Sequence, residues 1–144
     1  MGSGPLYHMG MPRLSRTQLK ELSRIVGDRG VRTDSLAQSA YESDGYMLER
    51  ASPEVVVLPR TTEEAAAVVR VLRDAGLVIV PRGAGTGLSG GARPIAGGAV
   101  LGTARMRDIL ELNEMDRYAR VQAGVINVHL TGACQEAGLF YAPD

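Results

Sequence analysis

The residues best suited to chemistry lie in one run, Pro81-Arg82-Gly83-Ala84-Gly85-Thr86-Gly87-Leu88-Ser89-Gly90-Gly91. Glycine has no Cβ, so backbone can press close to a ligand there. Successive N–H groups in such turns form a concave anion site. Arg82 adds a permanent cation whose planar fork of donors suits phosphate oxygens. Thr86 and Ser89 add hydroxyl donors. The chemistry expected is the holding of a phosphate or pyrophosphate. A flexible glycine linker has a similar composition, but linkers lack the apolar run Leu77-Val78-Ile79-Val80 that leads into this one.

Two common nucleotide loops can be tested against these residues. Gly85-Thr86-Gly87-Leu88-Ser89-Gly90 matches G-x-G-x-x-G literally. A dinucleotide fingerprint must also open a helix, and Pro94, Gly97 and Gly98 leave no room for one. Its acidic ribose partner would be Glu111, which falls in a later hairpin. A Walker loop needs a lysine after its last glycines, and none follows. The backbone cradle survives both tests.

Other reactive side chains read more plainly. His129 lies off the apolar stripe of a helix, as a solvated residue would, and a catalytic base would need a pocket and an orienting partner. Cys134 lies on that stripe and reads as a small buried hydrophobe. Asp44-Gly45 reads as a turn. Arg105, Arg107, Arg117 and Arg120 alternate with acids, as on a solvated face. No His, Cys or carboxylate spacing suggests a metal site.

Elements must position the glycine run. Ser15 with Gln18 forms a capping box before Leu19, Leu22, Ile25 and Val26, an amphipathic helix ended by Gly27 or Gly30. Asp34 caps a short helix over Ser35 to Ala40. Glu54 to Leu58 is a β-branched strand closed by Pro59. Thr61 with Glu64 is a second box, and Ala65, Val68, Val69 and Leu72 make one apolar stripe ending near Gly76. Leu77 to Val80 is again a strand, closed by Pro81. Strand, helix, strand makes a βαβ unit with parallel strands, and ligands collect beyond their carboxyl ends. Gly98 to Leu101 reads as a third strand and Arg105 to Ile109 as a helical turn. Leu110 to Asn113 and Tyr118 to Gln122 flank a hairpin turn at Glu114 to Arg117. Asn127 caps a helix carrying Leu130, Ala133, Cys134 and Ala137. Leu139-Phe140-Tyr141 begins another extended segment. The pattern passes from parallel α/β to antiparallel α+β near Met106.

Acidic and basic residues balance at 16 each, which gives no bulk attraction to nucleic acid or anionic lipid. The single cysteine fits a reducing compartment, so a cytoplasmic location is expected. The expected organisation is a leader over residues 1–10, a helical segment over 11–53, a first α/β subdomain over 54–105, and the opening of a second α+β subdomain over 106–144.

Several stretches together resemble the FAD-binding domain of the vanillyl-alcohol-oxidase, or PCMH-type, flavoproteins. They are Val55 to Ala65, Val80 to Ala92, Gln122 to Val125 and Gly138 to Asp144, with Tyr41 to Gly45 before the first strand. Within that superfamily the likeness is to the glycolate dehydrogenase (glycolate oxidase) D-subunit and D-lactate dehydrogenase branch. The resemblance implies FAD lying between two subdomains, its pyrophosphate wrapped by Arg82 to Gly91. It implies that Gly124 and Val125 lie beside the flavin, and that Pro143 and Asp144 begin a motif near the isoalloxazine. The glycine run has no histidine, so the flavin is expected to be non-covalent. The activity implied is oxidation of a 2-hydroxy acid to the 2-oxo acid, with hydride passing to FAD. The family's base and carboxylate clamp would lie after residue 144. On this reading the chain is the first part of a longer enzyme, inactive alone, holding FAD weakly or not at all, and prone to self-association. Partner electron-transfer subunits, and membrane association through them, are further implications. The alternative is a non-catalytic nucleotide-binding or interaction module.

Overall fold

The computed structural model describes residues 13–45 and 49–142. Helix α1, Arg16–Val26, starts with the reciprocal box the spacing predicts. Ser15 Oγ accepts from the Gln18 N–H at 3.2 Å, and Gln18 Oε1 accepts from the Ser15 N–H at 2.9 Å. A 3-10 turn, Asp28–Gly30, leads into strand β1, Val31–Arg32. Asp34 caps α2, Ser35–Ser39, by accepting from the Ala37 N–H at 2.8 Å. Then come β2, Val55–Val57, α3, Thr62–Asp74, β3, Ile79–Arg82, and β4, Ala99–Gly102. Thr61 Oγ1 accepts from the Glu64 N–H at 3.2 Å, but the Glu64 carboxylate reaches back to the Arg60 N–H at 2.7 Å. That box closes one residue earlier than the spacing predicts.

The sheet runs β1-β2-β4-β3, with β4 parallel to both β2 and β3, and β1 antiparallel to β2. Strand β2 is buried on both faces. Val55 and Val57 pack with Leu22 and Val26 of α1 and Val68 and Leu72 of α3. Val56 points the other way, to Val100, Leu58 and Tyr41. Each such side chain contributes about 1.5–3 kcal/mol by leaving water.

Beyond the sheet, β5, Ile109–Asn113, pairs antiparallel with β6, Tyr118–Val121, and α4 spans Asn127–Glu136. The turn between the strands is held by Asn113, whose Oδ1 accepts from the Asp116 N–H at 2.8 Å. The parallel α/β part and the antiparallel α+β part follow one another as the pattern implies.

Six details differ from the sequence expectation. Residues 11–53 are not only helical, because Val31–Arg32 joins the first sheet; two residues are too few to show an alternation. Strand β4 inserts between β2 and β3, an order that a βαβ pattern does not specify. Pro81 lies inside β3 rather than ending it; β3 is an edge strand, where a missing N–H costs no ladder bond. Residues 105–109 are not helical, because Arg105 turns back to the first sheet and Ile109 already pairs with Val121. Asn127 is the first helical residue rather than the cap; Ile126 holds that place without a side-chain bond. Leu139 to Tyr141 form no strand among the described residues.

No residue of β5 or β6 is fully buried, and α4 buries only Leu130 and Cys134. Two-stranded ribbons are marginal alone. Amide exchange followed by NMR should therefore be about 100-fold faster in β5 and β6 than in β2 and β4. Equal protection would show that the hairpin and the sheet open as one unit.

Candidate functional site

Strands β2, β3 and β4 run in the same direction, so the segments leaving them gather at one edge of the sheet. Ligands of open parallel sheets bind at such an edge. The glycine run leaves β3 there. Among the described residues, no N–H from Gly83 to Gly91 donates to another group of the chain. Only the Ala92 and Arg93 N–H groups, at its far end, are used. Nine successive amides are therefore open.

The glycines of this run fall into two kinds. Gly85 (φ 74°) and Gly90 (φ 75°) occupy the left-handed region, so the turn itself asks for glycine. Gly83, Gly87 and Gly91 have ordinary φ, and a Cβ on any of them would meet nothing within 4 Å. The fold places no demand for glycine at those three.

Arg82 is directed beneath the run and is only 8% exposed. Its Nη1 donates to the carbonyls of Ser43 at 2.7 Å and Ala92 at 3.3 Å. The guanidinium carbon stands 5.5 Å from the centre of the Tyr41 ring, within cation–π range. A Cβ on Gly85 would collide with that guanidinium. Asp44 is buried, and its Oδ2 accepts from the Ala92 N–H at 3.2 Å. Gly45 lies so close that a Cβ would be 2.7 Å from the Thr86 carbonyl oxygen and 2.8 Å from that of Gly87. The Tyr41–Gly45 segment thus lies against the run. The Asp44-Gly45 pair by itself predicts only a turn, because nothing local shows its contact with the distant Thr86 and Gly87.

The opposite wall comes from the start of the second unit. A cleft of about 370 Å³ is lined by Gly83, Ala84, Thr103, Ala104, Arg107 and residues 123–127. It brings the head of the glycine run together with Gly124 and Val125. The Gly124 N–H donates to the Met106 carbonyl at 2.8 Å, and Thr103 Oγ1 donates to the Ala123 carbonyl at 3.3 Å. A Cβ on Gly124 would run into the Thr103 carbonyl oxygen and stand 2.8 Å from that of Met106. Helix α4 begins at this wall, and the positive end of its dipole favours a nearby anion. Thr86 to Gly91 do not line the cleft, and Leu88 is 76% exposed. Pro81 presents its ring to solvent from β3. Pro143 and Asp144 lie outside the described residues.

Of the arginines expected on a solvated face, Arg107 is exposed and Arg105 is drawn partly inward. Arg107 lines the cleft, with Nε donating to the Ala104 carbonyl. Arg105 Nη1 donates to the carbonyls of Val26 and Leu58, both at 3.0 Å, tying the end of α1 to the end of β2. Burial lowers its pKa from the ordinary guanidinium value, as do the like charges of Arg60 and Arg32, while Glu64 opposes them. A wider recess of about 830 Å³ lies beside Arg29, Arg60, Arg105 and Arg107, and contains no residue of the glycine run. His129 is exposed and Cys134 buried. Among the described residues no three metal-ligating side chains converge, and no helix is long and apolar enough to cross a membrane.

A parallel sheet thus carries unbonded amides at its carboxyl end, and an antiparallel unit faces the head of that run across a cleft. A family model described as an FAD binding domain matches residues 53–144, and the chain belongs to that family. Its cofactor is FAD. The chain is 45% identical over 104 residues to the glycolate oxidase subunit GlcD of Escherichia coli strain K12, covering 72% of this chain and 21% of that protein. It is 35% identical over 126 residues to D-2-hydroxyglutarate dehydrogenase of Stutzerimonas stutzeri, covering 88% and 27%. The chain thus spans about a quarter of the length of these relatives. The crystal structure of p-cresol methylhydroxylase with substrate bound superposes with a TM-score of 0.74 at 23% identity, over 85% of this chain and 25% of that one. That likeness establishes the fold, the PCMH-type FAD-binding architecture.

Proposed function

We propose that the chain is the pyrophosphate-holding part of an FAD-dependent oxidoreductase that oxidises a 2-hydroxy acid of the glycolate or D-lactate type. The observation that carries this reading is the pair of glycine classes. Gly83, Gly87 and Gly91 are glycine where neither backbone angle nor neighbour requires it. A ligand pressed against the backbone supplies the missing reason. The open amides from Gly83 to Gly91 would take the pyrophosphate oxygens, helped by the Thr86 and Ser89 hydroxyls. Gly124 and Val125 would stand beside the flavin. When bound, FAD supplies a hydride acceptor; these residues bind and orient it. The substrate class is supported by the names of the relatives. No residue described here is proposed as the base, and the flavin is proposed to be held without a covalent bond.

The test is substitution of the three unconstrained glycines. Gly83→Ala, Gly87→Ala and Gly91→Ala should leave thermal stability unchanged or raise it by up to about 1 kcal/mol, since alanine restricts the unfolded chain. Each should weaken FAD binding by about tenfold or more, read by quenching of flavin fluorescence at high protein concentration. If all three bind FAD as the parent chain does, the run is not a cradle. A titration with ATP and NAD in parallel separates this reading from a general nucleotide-binding module.

A further inference from the structure

We infer that the Tyr41–Gly45 segment is a positioning clamp for the glycine run, and that Arg82 acts as its buried bolt rather than as a phosphate ligand. Four independent contacts converge on this arrangement. Arg82 joins the carbonyl of Ser43, on the segment, to that of Ala92, at the far end of the run. The Tyr41 ring covers the guanidinium. Asp44 takes the Ala92 N–H. Gly45 comes within contact of the Thr86 and Gly87 carbonyls.

The physical consequence concerns the open amides. A glycine-rich loop with no internal hydrogen bonds has many conformations, and only a few present all its N–H groups to one ligand. Ordering them at the moment of binding would cost affinity. The clamp holds both ends and lies against the middle, and apart from the Ala92 N–H it meets carbonyl oxygens, which leaves the N–H groups from Gly83 to Gly91 for a phosphate. Arg82 is suited to this task because a planar guanidinium can donate in two directions while its face lies on an aromatic ring. A lysine could not reproduce that geometry. The inference rests on the FAD reading only for its consequence in binding; the clamp itself is testable without cofactor.

The experiment uses the whole chain, free of ligand. Thermolysin cuts before exposed leucines, and Leu88 is 76% exposed at the crest of the run. Cutting at that bond is followed by mass spectrometry for the parent chain and for Arg82→Lys, Tyr41→Leu, Gly45→Ala and Tyr41→Phe, with melting temperatures measured alongside. Arg82→Lys, Tyr41→Leu and Gly45→Ala should be cut at least about fivefold faster than the parent. Tyr41→Phe keeps the ring and should be cut at the parent rate. The clamp is overturned if Arg82→Lys and Gly45→Ala, melting within a few degrees of the parent, are cut at the parent rate. In a second arm, FAD affinity is measured for the same set. A loss in Arg82→Lys that parallels the cutting rate supports positioning. A loss without faster cutting assigns Arg82 to the phosphates and overturns the bolt. Faster cutting with unchanged, measurable FAD affinity overturns the role in binding. If the parent chain shows no measurable affinity for FAD, as expected of a chain that spans about a quarter of its relatives' length, the cutting rates alone decide the clamp.

Discussion

Gly124→Ala should lower the melting temperature by about 10 °C or more, the loss expected for about 3–5 kcal/mol in a chain of this size. The new methyl group would be driven into the Thr103 carbonyl oxygen and stand 2.8 Å from that of Met106. Both obstacles are backbone, so no rotamer change relieves them. The Gly124 N–H also donates to the Met106 carbonyl, and moving the segment away breaks that bond. This point joins the sheet edge to the second unit, so the cleft should open and FAD affinity should fall with stability. Gly132→Ala is the control. It lies on α4, where a Cβ meets nothing within 4 Å, and should stabilise by about 0.5–1 kcal/mol. A Gly124→Ala chain melting within two degrees of the parent, by calorimetry, would refute the close approach.

Arg105→Met should cost about 2–3 kcal/mol. Methionine keeps much of the stem but leaves the Val26 and Leu58 carbonyls without their donor, each at the end of an element. The guanidinium also fills the space above Gly30, where a Cβ would touch it. The lowered pKa adds a sign. A depressed base is less stable charged in the fold than in the unfolded chain, so its charge opposes folding until pH approaches the folded pKa. A guanidinium does not titrate near neutrality, so the loss should be the same at about pH 6 and about pH 8. Urea denaturation at both pH values measures it. A neutral outcome would mean that water replaces the guanidinium at both carbonyls. A loss that differs between the two pH values would point to a neighbouring group.

Much of this architecture is legible because its signals are local. The Ser15–Gln18 box, the Asp34 cap, the stripe carrying Val68 and Leu72, and the β-branched Val55–Val57 each announce themselves within a few residues. The glycine run is legible for the same reason. Few ordinary loops follow an apolar strand with so many residues lacking a side chain. The hairpin at Glu114 to Arg117 was readable from two short strands flanking polar residues.

What stayed hidden depends on contacts across long stretches of chain. Val31–Arg32 becomes a strand only because β2 offers it an edge, and β4 takes the centre of the sheet through pairing on both sides. The side chain of Arg82 looked free to meet a phosphate, since a sequence shows a charge but not what lies beside it. Folding turned it toward Ser43, Ala92 and Tyr41. Arg105 was drawn inward by two carbonyls in the same way. The sequence by itself determined α1, α3, the strands β2 and β3 and the run where backbone can be approached, since propensity, capping and the absence of a Cβ act over a few residues. Tertiary structure alone decided where Arg82 and Arg105 point, because the direction of a long side chain is settled by whichever distant carbonyls and rings the fold brings within its reach.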